Sequence, residues 1–199
     1  MTTPGITVKP IKLISGLSPF CETFLDSVSV PKSNLVYELN KGWTVGKRLL
    51  QHERSMIGGI GGGQKTTSLE EYAHQYVGVD DNGKIADASL RGEILNHRMN
   101  DRAFGLTTRR SVEESATGNA PGATSSMFKY YGTEQNIGKY DLMLSIMGTQ
   151  SVGWTGDGFE QDELNTTRAW LRSKANSIEG GTSEVQLNII AKRVLGLPD

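Results

Sequence analysis

A carboxylate on the apolar side of a helix is a candidate proton acceptor, and Glu53 fits that description. Residues 42–57 place Val45, Leu49, Glu53 and Met56 or Ile57 at intervals of three or four, which is one helix face. Desolvation on such a face raises a carboxyl pKa and favours taking up a proton. The same placement suits a structural ion pair with an arginine from another helix, and periodicity alone leaves both open. The second candidate is the stretch 172–186, where Glu179-Gly180-Gly181-Thr182-Ser183 leads through a tight turn into a helix. A turn of this kind offers several backbone N–H groups to a carbonyl oxygen or a phosphate. It is equally what a well-capped helix needs.

Other motifs carry less. Gly58–Gly63 followed by Gln64-Lys65-Thr66 is close to a phosphate loop, but glycine is required directly before the lysine and a strand before the glycines. A helix–helix link is the better account. His52, His74 and His97 have no metal-type spacing, so no metal site is expected and the histidines read as structural. The single cysteine, Cys21, forms no internal disulfide, and a reducing cytoplasm is the expected compartment. A net charge of −1 gives no basic balance that would point to nucleic acid. No run approaches the roughly 18 apolar residues of a membrane span.

The elements that must position these residues are mainly helical. Residues 5–14 and 20–30 read as two strands joined by a turn over 15–19, with Pro10 demoting part of the first to an edge. Two strands are seldom stable alone, so they are expected to be the remnant of a larger sheet in a longer protein. Helices are expected over 42–57, over 68–78 capped by Ser68, over 88–115, over 124–147, over 162–174 and over 183–195. Ser183-x-x-Gln186 reads as a capping box for the last one, and Gly196 and Pro198 stop it. A turn is expected at Asp80–Gly83 and a glycine-rich loop from Gly148 to Glu160. The fold class is mainly α, a β remnant leading into an antiparallel helical bundle.

Together these residues resemble the acyl-CoA dehydrogenase family. Residues 177–198 (SIEGGTSEVQLNIIAKRVLGLP) are similar to its C-terminal signature. Pro4–Val8 and Phe24–Pro31 resemble the end of its middle β domain, and Gly42-Trp43 with His52-Glu53-Arg54 resembles its first C-terminal helix. The resemblance is strongest at the two ends and poor over 60–120. It implies the last part of a middle β domain (1–38) followed by a C-terminal four-helix-bundle domain (39–199). It also implies a reaction in which a base removes the proton beside a thioester carbonyl while the next carbon gives a hydride to FAD. The developing enolate needs hydrogen bonds to its oxygen.

Many members carry the base immediately before the Gly-Thr pair, where this chain has Gly180, with Glu179 one residue earlier. Another branch carries it on the first C-terminal helix just before an arginine, and Glu53-Arg54 resembles that arrangement. The resemblance therefore implies Glu53 as base with Glu179 as the alternative, and Arg54, Gly180 and Gly181 against the substrate. Thr182, Ser183 and Glu184 would face FAD. It also implies an acyl-CoA substrate, electron-transferring flavoprotein as electron acceptor, and a homo- or heterotetramer. Gly180 with a helix-borne base is compatible with a branched or bulky acyl group, a steroid side chain among them.

Two departures stand against a complete flavin site. The family's Arg-x-x-Phe-Gly is replaced by Val77–Asp81, with a shortened Arg102-Ala-Phe104-Gly105 further on. Its Gly-Gly-x-Gly loop is altered to Gly148–Trp154. Such losses resemble bacterial members in which two different subunits assemble and only some sites bind FAD. A non-catalytic partner subunit is thus the second expectation.

Overall fold

The computed structural model describes residues 2–57, 67–117 and 124–198, with the backbone alone at 51–57 and 124. The link expected at Gly58–Thr66 lies outside them. The chain forms two compact units, Met1–His52 and Glu53–Asp199.

In the first unit β1 (Ile6–Ile11) pairs antiparallel with β2 (Phe20–Leu25), from Ile6 opposite Leu25 to Ile11 opposite Phe20. Both strands are shorter than the residue pattern predicts. Gly5, at φ 86°, accepts from Asp26 N at 2.8 Å, and a side chain there would run into the Asp26 carbonyl. The ladder therefore stops at Ile6 and Leu25. At the other end, Leu13 N donates to Leu17 O at 2.8 Å around Gly16, at φ 84°. Pro10 sits opposite Cys21, tolerated because a two-stranded ladder has only edge strands. α1 runs Gly42–Ile57, the span its periodicity predicts.

The second unit is a helical bundle built on α4 (Thr124–Met147). Around it pack α2 (Leu69–Tyr76), α3 (Ala88–Ala116), α5 (Gln161–Ser173) and α6 (Ser183–Ile189). Local signals explain the boundaries. Ser68 and Glu71 form a reciprocal capping box on α2, with Ser68 N donating to Glu71 Oε2 at 2.7 Å. Asp87 caps α3 by accepting from Leu90 N, and Glu160 with Glu163 closes the start of α5. Between α2 and α3, Asp80 accepts from the N–H groups of Asn82 and Lys84, both at 2.9 Å, while Val79 bridges Ile85. The Lys84 N–H lowers the pKa of the Asp80 carboxyl.

The core joins Leu69, Tyr72 and Ala73 of α2 to Ile94 of α3 and to Met143, Ile146 and Met147 of α4. Phe104 of α3 packs against Phe128 and Tyr131 of α4, with ring centroids 6.0 and 5.5 Å away. Tyr72 shares a 2.7 Å hydrogen bond with Thr166, and Tyr76 donates to buried Glu163 at 2.7 Å, tying α2 to α5.

The last helix differs from its expected form in two ways. Its N-cap is Thr182, whose hydroxyl accepts from Val185 N at 3.2 Å, and not Ser183. Ser183 already lies in the helix and turns its hydroxyl to Glu134 Oε1, 3.3 Å away. The helix then widens to a π-turn over Ile190–Val194 before Gly196, at φ 64°, ends it. Val185 and Val194, apolar residues of this segment, are 46% and 53% exposed.

Candidate functional site

The glycine turn is built from its flanks inward. α5 ends at Ser173, a 3₁₀ turn follows over Lys174–Ser177, and Glu179 N closes back on Ala175 O at 3.0 Å. Gly180 and Gly181 then take φ values of 66° and 94°, left-handed backbone that L side chains rarely adopt. A Cβ on Gly181 would stand 2.5 Å from Gln186 Nε2, which itself donates to Gly180 O at 3.1 Å. The fully buried Gln186 thus braces the turn from beneath. No backbone hydrogen bond runs from the N–H of Gly180 or Gly181 to another described residue. Among the described residues these two adjacent amide donors have no backbone acceptor, an arrangement suited to a ligand oxygen.

Glu179 is not a loose carboxylate. Arg172 Nη2 meets its Oε2 at 2.8 Å, and Asn176 Nδ2 donates to its Oε1. Asn176 is held in turn by Asn136 at 3.0 Å. An acid pinned at both oxygens is fitted for a structural pair. We expect Glu179→Gln in the full-length protein to slow turnover by far less than the roughly 100-fold that loss of a general base costs at minimum. Steady-state kinetics on the variant checks this.

After the turn, Thr182 serves as cap and Ser183 is engaged by Glu134, so their hydroxyls are already in use. Glu184 is exposed, and its pKa is lowered by its own backbone N–H, then by Thr182 and by Lys129. The side chains of Glu53 and Arg54 lie outside the described residues. On their helix Val45 is half-buried, and Leu49 is 67% exposed. The stripe therefore exists as a pattern without being sealed at Leu49.

Lys129 is the residue near this turn that sequence pattern missed. It is 1% exposed, and its Nζ has no hydrogen-bond partner among the described residues. Burial lowers its pKa, against the opposing pull of Glu179, Glu134 and Glu184. Nothing in the residue pattern marks it, because a helix-borne lysine is by default exposed.

The altered flavin segments have structural employment of their own. Gly148–Val152 forms a 3₁₀ turn whose Ser151 carbonyl accepts from Thr167 at 2.9 Å. Arg168 stacks over Trp154 at 4.9 Å and donates to its carbonyl, and the Phe159 ring fills the space a side chain at Gly153 would need. Val77–Asp81 leads from the end of α2 into the Asp80 turn, and Phe104 is taken up by aromatic packing.

Residues 40–195 match the family model of the acyl-CoA dehydrogenase C-terminal domain. The chain belongs to the acyl-CoA dehydrogenase family. Acyl-CoA dehydrogenase FadE34 of Mycobacterium tuberculosis is 31% identical over 199 residues, covering 100% of this chain and 26% of that protein. Acyl-CoA dehydrogenase IpdE1 of the same organism is 30% identical over 198 residues, covering 98% of this chain and 48% of that protein. The chain thus spans from a quarter to about half the length of these relatives. Among solved structures, the Tcur3481-Tcur3483 steroid ACAD superposes with a TM-score of 0.81 at 24% identity, over 98% of this chain and 50% of that one. The ChsE4-ChsE5 complex from Mycobacterium tuberculosis gives 0.74 at 24% identity, over 100% of this chain and 50% of that chain. At that identity these likenesses speak for the fold, a mainly helical acyl-CoA dehydrogenase C-terminal domain.

Among the described residues no cluster of three metal-ligating side chains occurs, and no helix is long and apolar enough to cross a membrane. Of the histidines, half-buried His97 has its pKa lowered by burial, and Lys139 adds to the effect while Asp101 and Glu70 oppose it. The unfolded chain then binds this proton more readily than the folded one. The stability His97 contributes is held above its unfolded pKa of about 6.5 and is lost as pH falls toward the lower folded value. We expect the melting temperature to fall between about pH 7 and pH 5, and His97→Gln to flatten part of that slope.

Proposed function

We propose that the full-length protein is an FAD-dependent acyl-CoA dehydrogenase that introduces an α,β double bond into an acyl-CoA thioester. The observation that carries this reading is the glycine turn, whose two N–H groups, without a backbone acceptor among the described residues, suit the oxygen of a thioester carbonyl. In this reading Glu53 removes the α-proton, with Arg54 beside it, while the N–H of Gly180 receives the charge that develops on the oxygen. Gly181, lacking a side chain, lets the thioester approach. Glu184, with Thr182 and Ser183 on the same turn, faces the cofactor. FAD, when bound, supplies the hydride acceptor.

The family supports an oxidoreductase, and the division at 38/39 between the end of a β domain and the bundle goes with it. In this reading the acyl group is bulky, a steroid side chain among the candidates, and four subunits of one or two kinds assemble; the Tcur3481-Tcur3483 steroid ACAD and the ChsE4-ChsE5 complex are solved structures of the same fold. Electrons would leave to electron-transferring flavoprotein, in the cytoplasm.

A second reading, a non-catalytic partner subunit, draws on Gly148–Trp154, which is packed by its own Phe159 and Arg168. Flavin content and dye-coupled acyl-CoA oxidation of the full-length protein, alone and with Glu53→Gln, separate the two. Bound FAD and activity that collapses in the variant support the enzyme. No FAD and no activity from the protein alone favour the partner subunit.

A further inference from the structure

Lys129 is buried in the bundle at 1% exposure, and its Nζ finds no hydrogen-bond partner among the described residues. A buried lysine without a partner costs free energy that a leucine or methionine in its place would not. Its surroundings say what it could be for.

Lys129 lies on α4 one turn before Thr133, whose hydroxyl reaches Asn176 O at 3.4 Å, and two turns before Asn136, which bonds the Asn176 side chain at 3.0 Å. That face of α4 therefore lies against the segment entering the turn. On the same helix Glu134 reaches Ser183, the residue leaving it, at 3.3 Å. Glu179 stands immediately before the two glycines, and Glu184 follows three residues after Gly181, the second of them. Both carboxylates, and Glu134, act electrostatically on the Lys129 ammonium. These acids come before the turn, after it and on α4 itself, the helix that carries the buried Lys129. Arg172 answers Glu179 from the outer side.

We propose that Lys129 is a positioning residue for the thioester-oxygen site: its buried charge draws Glu179 and Glu184 toward α4 and so fixes the direction of the Gly180 and Gly181 N–H groups. This rests on the acyl-CoA dehydrogenase reading. Lys129 does not touch substrate. It acts through the acids on either side of the turn, and in a low-dielectric interior an ammonium holds such groups more strongly than at the surface.

The test uses the full-length flavoprotein and a conjugated aromatic acyl-CoA, whose absorbance moves to longer wavelength as its carbonyl is polarised. We expect wild type to give the red shift, and Lys129→Met to lose most of it with kcat lowered about tenfold or more, KM changed little and flavin content retained. Because Lys129→Met removes a buried group, Glu134→Gln on the exposed edge of the same cluster is measured alongside. It is expected to weaken the red shift in the same sense, and the double variant to show less than the sum of the two. A full red shift in folded Lys129→Met overturns the proposal. Should Lys129→Met not fold, an unchanged shift in Glu134→Gln overturns it. A wild-type protein that binds the thioester without any shift removes the underlying functional reading and the positioning role with it, an outcome distinct from loss confined to the variants.

Discussion

Glu53→Gln in the full-length protein is expected to lower the rate of flavin reduction by acyl-CoA by about 10²–10⁴-fold, the range general-base catalysis contributes. The amide keeps the size and most of the shape of the carboxylate but cannot take a proton at neutral pH. Binding should survive, so KM and flavin content change little while kcat collapses, the signature of an interaction made in the transition state. Stopped-flow reduction under anaerobic conditions measures the chemical step directly. The contrast with Glu179→Gln makes the result specific, because Glu179 already gives both oxygens to Arg172 and Asn176. If the two variants exchange behaviour, the base is Glu179 and the helix-borne assignment is wrong.

Gly181→Ala carries the second large effect, on stability and chemistry together. Its φ of 94° costs an L-residue about 1–2 kcal/mol. The new Cβ would also come 2.5 Å from Gln186 Nε2. Gln186 is fully buried, so it cannot swing out to water, and overpacking of this kind adds about 1–3 kcal/mol. For a domain of this size each kcal/mol moves the melting temperature by roughly 2–4 °C, so a drop of roughly 5–15 °C is expected. Because Gln186 also holds Gly180 O, the amide donors turn away and the thioester response weakens in the protein that remains folded. Gly138→Ala in α4 is the control, since a Cβ there meets nothing within 4 Å. It should be neutral or gain about 0.5–1 kcal/mol from the helix preference of alanine. Equal melting temperatures for the two alanine variants would show that the turn is not braced as described.

Much of the fold follows from neighbours in the chain. The span of α1, Gly42–Ile57, emerges from spacing alone, and the capping box at Ser68 and Glu71 forms as its residue types require. The stop at Gly196 and the turn around Asp80 are local chemistry of the same sort. The cap of α6 shows how this fails. Thr182 and Ser183 are adjacent and both able to cap, and Ser183 leaves that task to Thr182 because Glu134, 49 residues away, takes its hydroxyl.

Burial was the least legible property. Leu49 is apolar yet 67% exposed, while Lys129 is charged and 1% exposed. Met143 and Met147, unremarked in the pattern of α4, are core, because α4 is the helix that the others surround. Apolar periodicity predicts which side of a helix wants cover but not which neighbour supplies it.

By itself the sequence determined the helical class, the glycine turn, the family signature and the candidate acids Glu53 and Glu179. Propensity, capping and positive-φ glycines act within a few residues, so their outcome can be read along the chain. The tertiary structure decided that Glu179 is tethered, that Gln186 lies beneath Gly180 and Gly181, and that Lys129 is buried. Those outcomes depend on helices from distant parts of the chain meeting at one turn. Electrostatics and burial act through space, and no spacing along one strand of residues encodes them.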